Sequence, residues 1–272
     1  MRILRIVVPI IFVATTALFC YLLVTEKMNN DESVPVITIE DEVLEVALDA
    51  TRKDLLVGVT AYDEKDKDLT DKVIVESISD FIAPGYCRVT YAVCDSDNKV
   101  ATATRKVCYK GYTSPKFQIS ESLCFSLYER LNLTKIITAI DCIEGDISDD
   151  IIISSEDYTG SIEGVFNIQA TVTNSKGDSS TITIPLIIED LSPSAPEIEL
   201  TEYLIYAKPN QQLKFDDYIV SAKDSKDNDL TDSVTIETNI DTSKEGTYTV
   251  HYYVTDKNDV KGHTVLTVII GD

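Results

Sequence analysis

The 272-residue chain has no tryptophan, two methionines and only two histidines. With so little imidazole, acid–base or nucleophilic catalysis that depends on histidine has almost no raw material. No Gly-x-Ser-x-Gly elbow is present to seat a serine nucleophile either. The missing tryptophan removes the most effective side chain for stacking on sugar rings. Basic residues are scarce, 24 against 46 acidic ones, for a net charge of -22. That balance repels a phosphate backbone and excludes nucleic acid as a partner, while favouring divalent cations and basic surfaces. The six cysteines show no CxxC pair and no Cys/His spacing of the zinc-finger kind. Beyond the first 25 residues no helical period is sustained.

The first segment is different in kind. Arg2 and Arg5 precede an almost uncharged run from Ile6 to Val24, long enough to span a bilayer. The positive-inside rule places the N-terminus in the cytoplasm and the chain from about Thr25 onward outside. A membrane anchor through residues 6–24 is therefore expected, with a signal peptide cleaved after Thr15 and Ala17 as the rival reading. Later apolar runs are too short for a second span.

The remainder repeats itself. Pro35-Val36-Ile37-Thr38-Ile39 recurs as Pro115-Lys116-Phe117-Gln118-Ile119 and as Pro196-Glu197-Ile198-Glu199-Leu200, at spacings of 80 and 81 residues. An acidic stretch follows each opening: Asp63, Asp66 and Asp68 before Leu69; Asp141, Glu144 and Asp146 before Ile147; Asp224, Asp227 and Asp229 before Leu230. Each copy then closes with an alternating run that begins at Gly85, Gly164 or Gly246. Ordered landmarks at one period indicate tandem copies of a small domain, which argues for multiplied surface or length and against a unique catalytic centre.

Within each copy, apolar residues alternate with polar ones. In the third, Tyr248, Val250, Tyr252 and Val254 share one face, and Leu266, Val268 and Ile270 follow after a turn. Period two with turn residues between the runs predicts hairpins with one buried face, and a sequence of such short strands predicts an antiparallel sandwich. A short helical turn is conceivable only within residues 123–133. Pro and polar residues at 110–114 and 190–195 mark linkers, and domains set in line would extend about 100 Å from a membrane.

These landmarks resemble the bacterial immunoglobulin-like repeats of cell-surface proteins, one relative being the Ig-like domain of certain insecticidal crystal toxins. The third copy carries the resemblance best, through Asp224, Asp227, Asp229, Leu230, Thr231, Gly246, Tyr248, Tyr252, Val254 and Asp256. The second keeps the loop glycine as Gly145 but has Phe166, Ala170 and Asn174 at the tyrosine and final aspartate positions; the first has Lys67 for that glycine and Cys87 for the first tyrosine. With the resemblance, the expected chain is all-β, three tandem Ig-like sandwiches at 34–110, 111–190 and 191–272, after the transmembrane helix read at 1–25 and a juxtamembrane linker at 26–33. It implies a spacer or adhesive module of an exported bacterial protein and no enzymatic activity.

In an Ig-like sandwich the loop after the second main strand and the turn of the last hairpin lie at one end. Asp63, Asp66 and Asp68 are thus expected near Asp95, and Asp224, Asp227 and Asp229 near Asp256, with Asp141, Glu144 and Asp146 forming the middle set. Two readings follow. The carboxylates cap turn amides, or they converge as an oxygen-rich calcium site at a joint. No twelfth-position Glu supports an EF-hand. Tyr62, Tyr86 and Tyr253 point away from the core face and are candidates for contact with a partner protein or glycan. His251 and His263 lie on that same outer face and are expected to be exposed. A bridge between Cys87 and Cys108 is the main alternative to buried thiols. The expected function is a membrane-anchored, non-enzymatic surface stalk or adhesion module; a calcium-dependent receptor for a glycan, cell-wall polymer or protein, and an accessory subunit of a membrane complex, are the alternatives.

Overall fold

A computed structural model describes residues 2–29, 33–127, 129–155 and 162–271, with the side chains of 2–6, 9 and 26–29 outside that description. The first element is α1 (Arg2–Asn29), which continues through the first half of the stretch expected as a linker; residues 30–32 lie outside the described residues. Phe12, Val13, Leu18, Phe19, Leu22 and Val24 are all exposed along it. Among the described residues no helix is long and apolar enough to cross a membrane. The expected span includes residues 6 and 9, whose side chains are not described.

Beyond α1 the described residues are mostly strands joined by loops and short 3-10 turns. The chain divides into two compact units, Met1–Ile82 with Tyr86–Lys110, and Ala83–Gly85 with Gly111–Asp272. The first contains β1 (Val36–Ile39), β2 (Val43–Val46), β3 (Val59–Asp63), β4 (Lys67–Asp68), β5 (Ile74–Ile78), β6 (Tyr86–Cys94) and β7 (Val100–Tyr109). They form two sheets, β1-β3-β4 and β2-β7-β6-β5. The alternation read from the sequence supplies the core: Cys87, Val89, Tyr91 and Val93 face inward from β6, and Arg105, Val107 and Tyr109 from β7. Cys87 stands opposite Val107 and Cys108 opposite Tyr86, which puts the two thiols on opposite faces of the hairpin and removes the alternative of a bridge, leaving the expected free thiols.

The second unit repeats this order twice. Its strands are β8 (Lys116–Ile119), β9 (Cys124–Ser126), β10 (Ile137–Asp141), β11 (Gly145–Asp146), β12 (Ile152–Ser155), β13 (Gly164–Thr173) and β14 (Ser179–Glu189), then β15 (Glu197–Leu200), β16 (Leu204–Ala207), β17 (Ile219–Lys223), β18 (Thr235–Thr238), β19 (Gly246–Thr255) and β20 (Lys261–Ile270). Sheets β8-β10-β11 and β9-β14-β13-β12 are followed by β15-β17 and β16-β20-β19-β18. The helical turn expected within 123–133 is replaced by β9, with a single turn, α2 (Leu133–Ile136), only at its end; residue 128 lies outside the described residues.

Each four-stranded sheet departs from the antiparallel expectation in one place. Strands β2, β9 and β16 pair in parallel with β7, β14 and β20. The cause is local: the chain leaves β1, β8 or β15, crosses to the other sheet within a few residues and keeps its direction, so it meets the last strand running the same way. Hydrophobic alternation is identical for either direction and carries no sign of this.

Strand β20 is buried on both faces. Leu266, Val268 and Ile270 point into their own sandwich, while Val265 and Thr267, each 1% exposed, point the other way. Val265 and Leu204 join the apolar cluster of Phe117, Leu123 and Phe125, and the Val265 amide donates to Ser122 Oγ at 3.1 Å. Within this unit the two sandwiches are therefore joined through a packed sheet face, where the sequence had suggested a short linker alone. Gly262 permits the close approach of Pro196, the residue that leads into β15, because a Cβ there would stand 2.1 Å from the Pro196 carbonyl oxygen.

In the first unit the inward position of Arg105 is 4% exposed. Its guanidinium donates to the carbonyls of Leu55 and Val57 and to Tyr91 Oη, each at 2.7 Å, and lies over the Tyr91 ring. The cation is thus solvated by oxygen in place of water. Arg105→Ala should destabilise this unit by about 3 kcal/mol, read from its denaturant midpoint; an unchanged midpoint would show that these bonds contribute nothing net.

Candidate functional site

The acidic loops grow out of strand ends. Asp63 and Asp141 close β3 and β10, Asp224 follows β17, and the three are 2%, 2% and 8% exposed. A buried carboxylate needs donors, and the local turn provides them. Asp63 Oδ1 accepts the amides of Lys65 at 2.9 Å and Asp66 at 3.0 Å. Asp141 Oδ1 accepts those of Ile143 at 2.8 Å and Glu144 at 2.9 Å. Asp224 Oδ1 accepts those of Lys226 at 2.8 Å and Asn228 at 2.9 Å.

The final hairpin turns use the same device. Asp95, Asn174 and Asp256 are buried, and each Oδ1 accepts two backbone amides: Asp97 and Lys99, Lys176 and Asp178, Asn258 and Val260. The two loops meet at one end of the sandwich. In the first unit Asp66 Oδ2 accepts the Ser96 amide at 2.8 Å, and Lys65 Nζ sits 2.7 Å from Asp97. The incoming chain arrives here too, with Ser33 Oγ donating to Asp63 Oδ2 and Lys99 Nζ donating to the Ser33 carbonyl. In the middle set Asn174 Nδ2 donates to Asp141 Oδ2 at 2.9 Å, and Glu144 Oε1 accepts the Ser175 amide. Tyr112, unremarked in the sequence, completes that end by donating to Asp178 Oδ2 and accepting from Asn174 Nδ2.

Asp68, Asp146 and Asp229 turn to their own neighbours. Their Oδ1 atoms accept the amides of Thr70, Ser148 and Thr231 at 2.9, 3.0 and 2.9 Å, which caps the 3-10 turn that leads away from each loop. Asp227 takes the left-handed conformation at φ 61°, one position earlier than Lys67 at φ 65° and Gly145 at φ 79°. The third loop is accordingly wound like a final hairpin turn, whose left-handed residues are Asn98 and Asp259, and it closes through Asn228 Nδ2 on Asp224 Oδ2 at 2.7 Å.

These donors hold the carboxylates ionised. The Asp66 amide lowers Asp63, the Ser96 amide lowers Asp66, the Asn228 side-chain amide lowers Asp224 and the Val260 amide lowers Asp256. Hydroxyls of Thr70, Ser148 and Thr231 do the same for Asp68, Asp146 and Asp229. Chemically the set is a charge-stabilised turn: the Oδ1 atoms that begin and close each loop accept protein N–H groups, and in the first unit Lys65 and Lys99 bring two ammonium groups to the same end.

The aromatic candidates separate. Tyr62 is 53% and Tyr86 41% exposed, whereas Tyr253 is half-buried and stacks on His263 with ring centroids 4.3 Å apart. The expectation of two exposed histidines is corrected by the same contact: the His263 side chain is 2% exposed, and His251 is half-buried, its pKa lowered by burial and then by His263. Alternation places both correctly on the outer face of the hairpin. It does not reveal that a neighbouring sandwich covers that face.

Residues 44–108 and 210–270 match the family described as a bacterial surface protein, Ig-like domain. The pesticidal crystal protein Cry22Aa of Bacillus thuringiensis is 30% identical over 208 residues, covering 75% of this chain and 28% of that protein. An uncharacterized 81.3 kDa protein of Acholeplasma phage L2 is 30% identical over 142 residues, covering 50% and 19%. The chain thus spans under a third of the length of these relatives. Among solved structures, it is similar to the M60 catalytic domain with CBM51 domains of Clostridium perfringens ZmpB, at 14% identity and a TM-score of 0.25, covering 89% of this chain and 31% of that one. Drosophila N-cadherin EC1-4 gives 12% identity and a TM-score of 0.22, covering 89% and 76%. Two stretches of the chain, 44–108 and 210–270, thus match the bacterial surface Ig-like domain, and the chain is similar over 208 residues to the crystal protein.

Two outcomes are expected. Because the folded carboxyls titrate below the ordinary aspartate value of 3.8, their stabilisation is complete above that pH and is lost as pH falls through the lowered values. The thermal midpoint should be level between roughly pH 5 and 7 and drop below about pH 4; a midpoint that rises on acidification would contradict the assignment. Lys67→Gly should stabilise the first unit by about 1 kcal/mol, since a side chain at left-handed φ is strained, and a loss of stability in denaturant titration would show that the Lys67 side chain matters more.

Proposed function

We propose that the chain is a non-enzymatic interaction and spacing module of a bacterial surface, built of Ig-like domains at 34–110, 111–190 and 191–272 and tethered through α1. The observation that supports this most is the recurrence of one loop pair, Asp63 with Asp95, Asp141 with Asn174 and Asp224 with Asp256, each satisfied by its own turn amides. A device repeated in every sandwich and internally saturated serves the scaffold, and substrate chemistry needs a singular, unsaturated site. The family match supports an extracellular setting. Tethering rests on the apolar run from Ile6 to Val24 after two arginines and on the exposed apolar side chains of α1. Tyr62 and Tyr86 are the surface positions best suited to meet a partner.

The test is fractionation of the full chain expressed in a bacterial host. It should stay with membranes through alkaline carbonate washing, and protease added to intact cells or spheroplasts should remove the repeats. Recovery in the soluble fraction would remove the tether, and repeats protected from external protease would overturn the surface assignment.

A further inference from the structure

The most unusual cluster in the molecule lies outside the acidic loops. Cys124 begins β9, Glu189 ends β14 and His263 projects from the outer face of β20, so residues far apart in sequence meet where the two sandwiches of the second unit pack. His263 Nδ1 is 3.3 Å from Cys124 Sγ and 3.0 Å from Glu189 Oε2. One donor atom from each residue lies within 4.8 Å of the other two. We propose that Cys124, Glu189 and His263 form a zinc-binding site that ties the two sandwiches together.

Three features carry this. The first is convergence. Both contacts fall on the same ring nitrogen, so the imidazole cannot pass a proton from thiol to carboxylate through its two nitrogens as a catalytic triad would. Three donors sharing one focus are arranged as ligands are. With zinc–nitrogen and zinc–oxygen distances of about 2.0 Å and zinc–sulfur of about 2.3 Å, a tetrahedron has edges of roughly 3.3–3.6 Å, against the 3.3 Å and 3.0 Å that His263 Nδ1 makes with the sulfur and the carboxylate.

The second is support. Metal-bound histidines hand their remaining N–H to a neighbour that fixes the ring. His263 Nε2 lies 3.0 Å from His251 Nδ1, and Tyr253 stacks on the ring. The ligands themselves stand on paired strands: Cys124 is opposite Ile187 in the β9–β14 pairing, and Val265, two residues beyond His263, is bonded to Ser122. The third is access. A cleft of about 710 Å³ is lined by both Cys124 and His263, which gives an ion a route and leaves room for a water as fourth ligand. Thiolate with imidazole and carboxylate suits zinc and not calcium, which takes oxygen alone. On binding, the thiol proton leaves to solvent and sulfur donates its electron pair to the metal.

Cobalt(II) titration of the full chain in mild detergent, followed by zinc, tests the site. One equivalent of cobalt should give a thiolate-to-metal charge-transfer band in the near ultraviolet, which zinc then abolishes. Cys124→Ser should lose that band, and Glu189→Gln and His263→Gln should each weaken zinc binding at least about 10-fold. His251→Ala should weaken it by a similar factor while retaining the band. Unfolding curves in chelator establish that each variant is folded. Zinc should raise the thermal midpoint of the wild type and not of Cys124→Ser. Absence of the band at micromolar cobalt, or its persistence in folded Cys124→Ser through another cysteine, would overturn the proposal.

Discussion

A carboxylate buried at the end of a strand has to be given hydrogen-bond donors, and in this chain the turn it begins provides them. That constraint shapes each sandwich. Asp63, Asp141 and Asp224 at one loop, and Asp95, Asn174 and Asp256 at the other, each gather two backbone amides onto a single oxygen. Gathering amides bends the chain sharply, which reverses its direction and lets Leu69 and Ile147 drop into the core beside the loop. Hydrogen bonds to a charged acceptor are stronger than neutral ones, so the turn amides offset much of the cost of burying a negative charge at the end of a small sandwich.

The joints follow a different logic. Inside the second unit, both faces of β20 are buried, and the outer one is covered with Thr267 Oγ1 left without a hydrogen-bond partner. Burial of Val265 and Leu204 against Phe117 and Leu123 packs the two sandwiches of this unit against one another. Polar groups trapped there have to find each other, and the meeting of Cys124, Glu189, His263 and His251 is the consequence.

Much of this was legible from residues alone. Period-two alternation located the long hairpins β6–β7, β13–β14 and β19–β20, and the recurring Pro, Asp and Gly landmarks gave the repetition. Asp63 and Asp224 were legible as turn residues because their spacing to the following hydrophobic plug is constant. What escaped was non-local. The parallel pairing of β2, β9 and β16 depends on which sheet a strand joins, and alternation is silent about that. His263 was placed on the correct face but read as exposed, since nothing along β20 announces what covers it. Cys124 and His263 have no ligand spacing because 139 positions separate them. Lys67 in a left-handed position was visible only as a departure from a glycine.

The central claim is that the acidic loops are held by their own amides. Amide hydrogen exchange on the full chain, first in chelator and then in millimolar calcium, tests it directly. The amides of Lys65, Asp66, Ile143, Glu144, Lys226 and Asn228 should be protected in chelator, with rates unchanged by calcium. Fast exchange in chelator that slows only when calcium is added would contradict the account and make these loops metal sites.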